Sequence, residues 1–199
     1  RHLHTLRGFA PRDVPSLLTR AGFRPTFTVT RYEAHFAHAD AACGPMLEKL
    51  ARSGRIPDAA VVAPLTSVMP ARIAHLHAAH FGHSPTRSLA LLADAARDPV
   101  ALALSRVATV RVRLAGFILW RQRPDEAPHV DLWIAAPGFR TGWVAVALLA
   151  AAVREGVRLG LDCGWFACDD AARATHHIAR RIGARAVHTE LGHVLSIPG

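Results

Sequence analysis

The sequence predicts a mixed α/β fold, on the basis of the type and order of its apolar segments. From residue 58 onward, short β-branched runs and segments of helical spacing follow one another in the order β-α-α-β-β-β-α-β-α-β-β. The chain has 199 residues, of which 51% are hydrophobic and 20% are charged, so it can bury a core and is not largely disordered. We therefore expect residues 58–199 to form one α/β domain with a mixed sheet.

Residues 1–57 differ from the rest and are predicted to form an N-terminal accessory segment. Arg12–Arg20 has the spacing of a short helix, and Thr26–Tyr32 alternates as a strand does. Ala34–Ser53 is typical of a helix, with a break expected at Gly44 and Pro45. Turn-forming residues between positions 53 and 58 place the boundary after residue 57.

The elements of residues 58–199 follow from two periodicities. Strands are predicted where β-branched and apolar residues form short runs, and helices where apolar residues recur every three or four positions. Proline and glycine residues separate these segments. The predicted elements are a strand Ala60–Leu65, helices Pro70–Phe81 and Pro85–Ala96, an antiparallel pair Val100–Val112 and Leu114–Arg121, a turn Gln122–Pro128, a strand Val130–Ala135, a helix Thr141–Gly156, a strand Leu161–Cys168, a helix Ala171–Ile182, and closing strands Ala184–His188 and Val194–Ile197.

Composition and charge argue against several classes of protein. The longest apolar run, Trp143–Val153, is shorter than the roughly 18 residues of a membrane span, and the basic N-terminal residues are not typical of a signal peptide. Cys43, Cys163 and Cys168 form no even framework, so we expect reduced, buried thiols in a cytoplasmic protein. The net charge of +9 comes from scattered arginines, which favours anionic partners, but no nucleic-acid module is present and nucleic acid is not an expected partner.

One segment, residues 130–149, combines a strand, a proline and a loop that opens a long helix. It resembles the GNAT acyltransferase superfamily, in which such a strand and proline precede the motif R/Q-x-x-G-x-G/A and a helix with two aliphatic residues. The residues in register are Pro137, Arg140, Ala145, Leu148 and Leu149, and Trp143 stands at the first glycine of the motif. The resemblance covers residues 58–199.

The loop before this helix has the properties of an anion site. The first N–H groups of a helix lack intrahelical partners and lie at the positive end of its dipole, which suits a pyrophosphate. Gly142 and Ala145 are small enough for phosphates to approach the backbone. The alternative is a strand-loop-helix connection that binds nothing. The residues predicted to bind the cofactor here are Arg140, Thr141, Gly142, Trp143, Val144 and Ala145.

The resemblance implies an N-acyltransferase that works by direct attack in a ternary complex. Its donor is acetyl-CoA or another acyl-CoA, its acceptor is an amine-bearing small molecule, peptide or protein, and no metal is expected. It implies a mostly antiparallel sheet, splayed at the cofactor strand, where Trp133, Ile134 and Ala135 pair with the pantetheine arm. The alternatives are a fatty-acyltransferase that uses long-chain acyl-CoA or an acidic acyl carrier protein, and a GNAT-shaped binding module without catalysis. Residues 1–57 are then either the remnant of a second GNAT-like half that supports or covers the acceptor cleft, or the dimerisation arm of a homodimer.

Aminolysis of a thioester needs a base that removes a proton from the amine. In the resemblance this base is a carboxylate on the strand before the loop, which corresponds to Asp131. His129 is the second candidate, because alternation along a strand places both side chains on one face. The alternative is that Asp131 is a surface residue at a strand end.

Many GNAT members use a tyrosine as the acid that protonates the thiolate, four residues before a glycine at the end of the last helix. The corresponding residue here is Ala179, and the only tyrosine of the chain is Tyr32, in residues 1–57. The thiolate then either leaves unaided or takes its proton from another residue. The candidates for that residue are Cys168, His176 and His177.

The remaining histidines and tryptophans carry weaker signals. Histidines at helical spacing can chelate a metal, but no cysteine or carboxylate follows at ligand spacing, so we expect them in an acceptor cleft instead. These histidines are His75, His77, His80 and His83. The tryptophans Trp120, Trp133, Trp143 and Trp165 are expected in the core.

Overall fold

The computed structural model of the chain describes residues 23–123, 125–139 and 142–195. Within these residues, seven strands form one sheet in the order β2-β3-β4-β5-β6-β1-β7, and six α-helices cover it. The strands are β1 Phe23–His35, β2 Ala60–Pro64, β3 Arg106–Val110, β4 Arg113–Arg121, β5 His129–Ala135, β6 Cys163–Asp169 and β7 Arg185–Leu195. The helices are α1 Phe36–Arg52, α2 Pro70–Phe81, α3 Pro85–Ala95, α4 Pro99–Leu104, α5 Trp143–Arg158 and α6 Arg173–Arg181.

The predicted fold class is confirmed: the structure is a mixed α/β fold, with helices on both faces of one sheet. Neighbouring strands are antiparallel, except for β5 and β6, which are parallel. Two hydrophobic clusters lie on opposite faces of the sheet. Helices α1, α5 and α6 contribute to the larger cluster, and α2 and α3 contribute to the smaller one. None of the helices within the described residues has the length and apolarity needed to cross a bilayer.

Two predicted elements differ from the structure. The predicted strand Val100–Val112 begins as helix α4, because Asp98 accepts hydrogen bonds from the N–H groups of Val100 and Ala101 and caps the helix. The predicted break at Gly44 and Pro45 is absent, and α1 runs through Pro45. Packing of α1 against α5, with Cys43 fully buried, outweighs the one backbone hydrogen bond that proline removes.

The two closing strands also differ, since β7 is one strand up to the last described residue, and positions 196–197 lie outside the described residues. The predicted helix Arg12–Arg20 lies outside them as well.

Strand β1 lies inside the sheet, between β6 and β7. Its register places Tyr32 opposite Phe166 of β6 and opposite Ala186 of β7. Residues 23–52 therefore share one sheet and one core with the residues that follow. The division of the chain into domains after residue 57 stays a prediction.

The sheet opens between β5 and β6, which confirms the predicted splay. These strands pair only at His129 with Trp165 and at Val130 with Phe166. On its other side, β5 shifts register against β4 so that Asp131 has no opposite residue. Such a bulge bends a strand and increases its twist, and it turns the end of β5 away from β6.

Candidate functional site

Helix α5 begins beside the open end of β5. Its N-cap is Gly142, which has φ 88° and no side chain with which to cap the first N–H groups of the helix. Gly116 of β4 makes this close approach possible, because a Cβ there would lie 2.4 Å from the Ile134 carbonyl oxygen and 2.7 Å from Val144 Cγ1. The first turn of α5 is thus held against β4 and β5.

Trp143, which replaces the motif glycine, leaves the outer surface of this loop clear. Its side chain is 1% exposed and belongs to the core cluster. The N–H groups of Trp143, Val144 and Ala145 belong to the first turn, where a helix offers no carbonyl partner. Arg140 and Thr141, two further predicted cofactor residues, lie outside the described residues. The backbone at this helix start suits a phosphate group.

Strand β5 forms one side of the opening and pairs on its other side only with β4. Trp133, Ile134 and Ala135 lie opposite Ile118, Phe117 and Gly116 of that strand. Trp133 is half-buried, and its ring meets Phe166 of β6 edge-on at 5.9 Å between centroids. The Nε1 atom of Trp133 is buried and has no hydrogen-bond partner among the described atoms. A buried donor of this kind is normally satisfied, so it indicates a ligand or water that supplies an acceptor.

On the face covered by α2 and α3, Asp131 and His129 line one open depression of about 450 Å³. Arg121 donates from Nε to Asp131 Oδ2 at 2.8 Å, and its Nη1 lies 2.7 Å from Asp94 Oδ2 on α3. Asp131 therefore has a fixed orientation toward the depression.

His129 is 5% exposed and its ring stacks on Trp165 at 4.4 Å. Burial lowers the pKa of His129 below its usual value, and the charge of Asp131 only partly opposes this shift. His129 is thus a neutral imidazole near neutral pH, able to accept a proton. The structure brings the two candidate bases together, as their spacing predicts.

The three candidate acids have different surroundings in the structure. Cys168 is buried beside His176, with Sγ 3.7 Å from Nδ1, whereas His177 is exposed. Burial, aided by the charge of Asp169, raises the pKa of Cys168 to about 11, so its thiol stays protonated at neutral pH.

Sequence reasoning missed that Tyr32 belongs to this cluster. Its hydroxyl oxygen lies 2.9 Å from His176 Nδ1, although 144 residues separate the two in sequence. The alternation of residues 26–32 predicts a strand, but nothing local shows that this strand inserts beside β6. Only the pairing of β1 with β6 brings Tyr32 to the site.

The four histidines expected in an acceptor cleft do not line this depression, although His77 of α2 lies close enough to Asp131 to feel its charge. His77 is 4% exposed and donates from Nδ1 to Ser88 Oγ on α3 at 2.8 Å. Burial lowers the pKa of His77, His83 lowers it further, and Asp131 acts in the opposite direction. Among the described residues, no group of three or more side chains could hold a metal ion.

The sequence matches no protein-family model and no curated protein. The fold is nevertheless similar to those of several solved acetyltransferases. A GCN5-related N-acetyltransferase from Sphaerobacter thermophilus has a TM-score of 0.70 and 16% identity, over 92% of this chain and 56% of that one. A GNAT acetyltransferase from Colwellia psychrerythraea has a TM-score of 0.54 and 13% identity, over 92% of this chain and 62% of that one.

A tandem GNAT protein from the clavulanic acid biosynthesis pathway has a TM-score of 0.56 and 11% identity, over 100% of this chain and 64% of that one. This chain thus spans less than two thirds of each of the three solved chains. The likeness shows that the described sheet and helices have the GNAT fold.

Proposed function

We propose that this chain is an N-acyltransferase that passes an acyl group from a coenzyme A thioester to an amine, by direct attack in a ternary complex. The observation that carries the proposal is the start of α5, capped only by Gly142, beside the open edge of β5. Together they offer hydrogen-bond donors for a phosphate and an open strand edge at one place. The GNAT fold of the chain supports the same activity.

The donor would lie along α5 and β5. The pyrophosphate accepts hydrogen bonds from the N–H groups of residues 143–145, while Arg140 and Thr141 complete the predicted loop. The amide-containing pantetheine arm pairs with the free edge at Trp133–Ala135, as an added strand does. The buried, unpaired Nε1 of Trp133 fits this arm, because the arm brings carbonyl acceptors into the opening. When bound, acyl-CoA supplies the thioester carbon that the amine attacks.

The acceptor amine would enter from the depression on the opposite face. An amine attacks only when neutral, so a base must take its proton directly or through water. Asp131, oriented by Arg121, is the preferred base, and His129 is the second candidate because burial keeps it neutral. The acceptor is an amine-bearing small molecule or a peptide or protein.

A thermal-shift titration with CoA, acetyl-CoA and longer acyl-CoAs tests the donor. A ligand that binds only the folded chain stabilises it by about 2.7 kcal/mol at a hundredfold excess over its Kd. Stabilisation that peaks at acetyl-CoA supports an acetyltransferase, and stabilisation that grows with chain length supports a fatty-acyl donor.

Activity is then measured as thiol release in the presence of a panel of amines. CoA binding without thiol release would identify a binding module rather than an enzyme. A chain that neither binds any of these thioesters nor releases thiol would refute the proposal.

A further inference from the structure

The hydroxyl of Tyr32 and the imidazole of His176 form a hydrogen-bonded pair that the proposed base chemistry does not use. Tyr32 Oη lies 2.9 Å from His176 Nδ1, and His176 Nε2 lies 2.9 Å from the carbonyl oxygen of Asp169. A carbonyl oxygen only accepts, so Nε2 carries a proton. In the neutral imidazole, Nδ1 therefore accepts the hydroxyl proton of Tyr32. The hydrogen-bonding partners thus define one tautomer of His176.

This pair lies beside the opening between β5 and β6. Tyr32 is opposite Phe166 in the sheet and stacks on its ring at 5.5 Å, and Phe166 is the last residue of β6 that pairs with β5. Beyond that point, Cys168 of β6 lies 3.7 Å from His176. The pair therefore flanks the part of β6 that separates from β5, next to the place where the thioester would lie.

The ring of Tyr32 packs on the same side of the sheet as α5 and α6. Tyr32 packs against the core cluster that includes Ala179, which is completely buried. An aromatic hydroxyl thus enters from the sheet, on a strand contributed by the N-terminal part of the chain.

We infer that Tyr32 is a catalytic residue of the proposed acyl transfer, with His176 as the positioning residue that supplies its proton. The inference rests on the proposed function. The amine nitrogen bonds to the carbonyl carbon, and the carbon–sulfur bond breaks with its electron pair going to sulfur. The thiolate takes the hydroxyl proton of Tyr32. Tyr32 regains a proton from Nδ1 of the His176 imidazolium, and the base on the other face holds the proton of the amine.

This proton relay ends with neutral His176 accepting from Tyr32, at the distance of 2.9 Å found between Oη and Nδ1. Solvent protons then restore the imidazolium, since His176 is only half-buried. Cys168 holds its thiol proton firmly, because burial raises its pKa to about 11.

The test is the steady-state kinetics of Tyr32→Phe, with an acyl-CoA and an amine that the wild type uses. Phenylalanine keeps the ring on Phe166 and removes only the hydroxyl. We expect kcat to fall by about 10²–10⁴-fold, the usual contribution of a general acid, with the Kd for CoA unchanged in calorimetry. His176→Asn should lower kcat as well, whereas Arg180→Gln, at an exposed residue of the same helix, should leave it unchanged.

A further readout separates a proton donor from a structural role. The thiol of bound CoA, followed by the ultraviolet absorbance of the thiolate, should ionise at lower pH in the wild type than in Tyr32→Phe, because the hydroxyl stabilises the thiolate. This titration needs no turnover.

Each outcome decides the inference. A Tyr32→Phe variant with wild-type kcat, or one whose CoA affinity falls as far as its kcat, overturns the relay and leaves the acyltransferase proposal standing. Equal thiol titrations in the two proteins overturn it as well. A wild type that neither binds CoA nor transfers an acyl group overturns both the relay and the proposed function.

Discussion

Replacing Gly142 with alanine should weaken coenzyme A binding, because Gly142 caps the helix whose first N–H groups are the proposed phosphate donors. Its φ of 88° is left-handed, and an L-residue in that region costs about 1–2 kcal/mol of stability. An added Cβ meets no atom within 4 Å, so the methyl group would project into open space at the loop. If it keeps a phosphate from one charged hydrogen bond, the loss is about 1.5–3 kcal/mol, or about ten- to hundredfold in Kd.

Gly160 provides the matched control for this substitution. It lies just beyond the other end of α5, has φ 73°, and also has no atom within 4 Å of an added Cβ. Gly160→Ala should therefore carry a similar strain, and each variant should lose about 2–8 °C in Tm. Calorimetry with CoA should show weaker binding for Gly142→Ala alone. Equal CoA affinities in the two variants would refute the assignment of the phosphate loop.

Three further predictions concern buried polar groups. Trp133→Phe, which removes the unpaired Nε1 donor, should weaken CoA binding by about 0.5–1.5 kcal/mol in calorimetry, and unchanged affinity would exclude a role for this N–H. The free energy of unfolding should fall as pH drops below about 6.5, because burial lowers the pKa of His77, so that at first only the unfolded chain gains this proton. In chemical denaturation, His77→Asn, which keeps a hydrogen-bond donor for Ser88, should lose less of its unfolding free energy over the same pH range. Alkylation of Cys168, followed by mass spectrometry, should accelerate only toward pH of about 11, and rapid reaction at neutral pH would contradict its burial.

The order of elements after residue 58 could be predicted because each periodic segment also packs as its pattern requires. Helix α2 buries Ile73 and His77 on one face, as the three- and four-residue spacing indicates. Val100–Val112 fails this reasoning, since a continuous apolar run fits a buried helix and a buried strand equally well. The choice is made by Asp98, whose carboxylate caps the helix from just outside the run.

The candidate site also has parts that local sequence patterns predict and parts that they do not. The pairing of His129 with Asp131 and the helix start at Gly142 are local in sequence, so pattern and spacing predict them. Tyr32 and His176 meet only because β1 inserts between β6 and β7. The position of a strand in a sheet depends on which distant strands it pairs with, and the alternation within β1 does not carry that information.

The bulge at Asp131 connects the two faces of the proposed site. Strict alternation along β5 would place Asp131 and Trp133 on one face, yet Trp133 packs with the cluster of α5 while Leu132 and Ile134 pack with that of α2 and α3. The extra residue shifts the register between Val130 and Leu132, so that Asp131 faces the acceptor depression and Trp133 faces the donor side. One strand can therefore present a base to the amine and a hydrogen-bond donor to the thioester arm, on opposite faces of the sheet and beside the same opening.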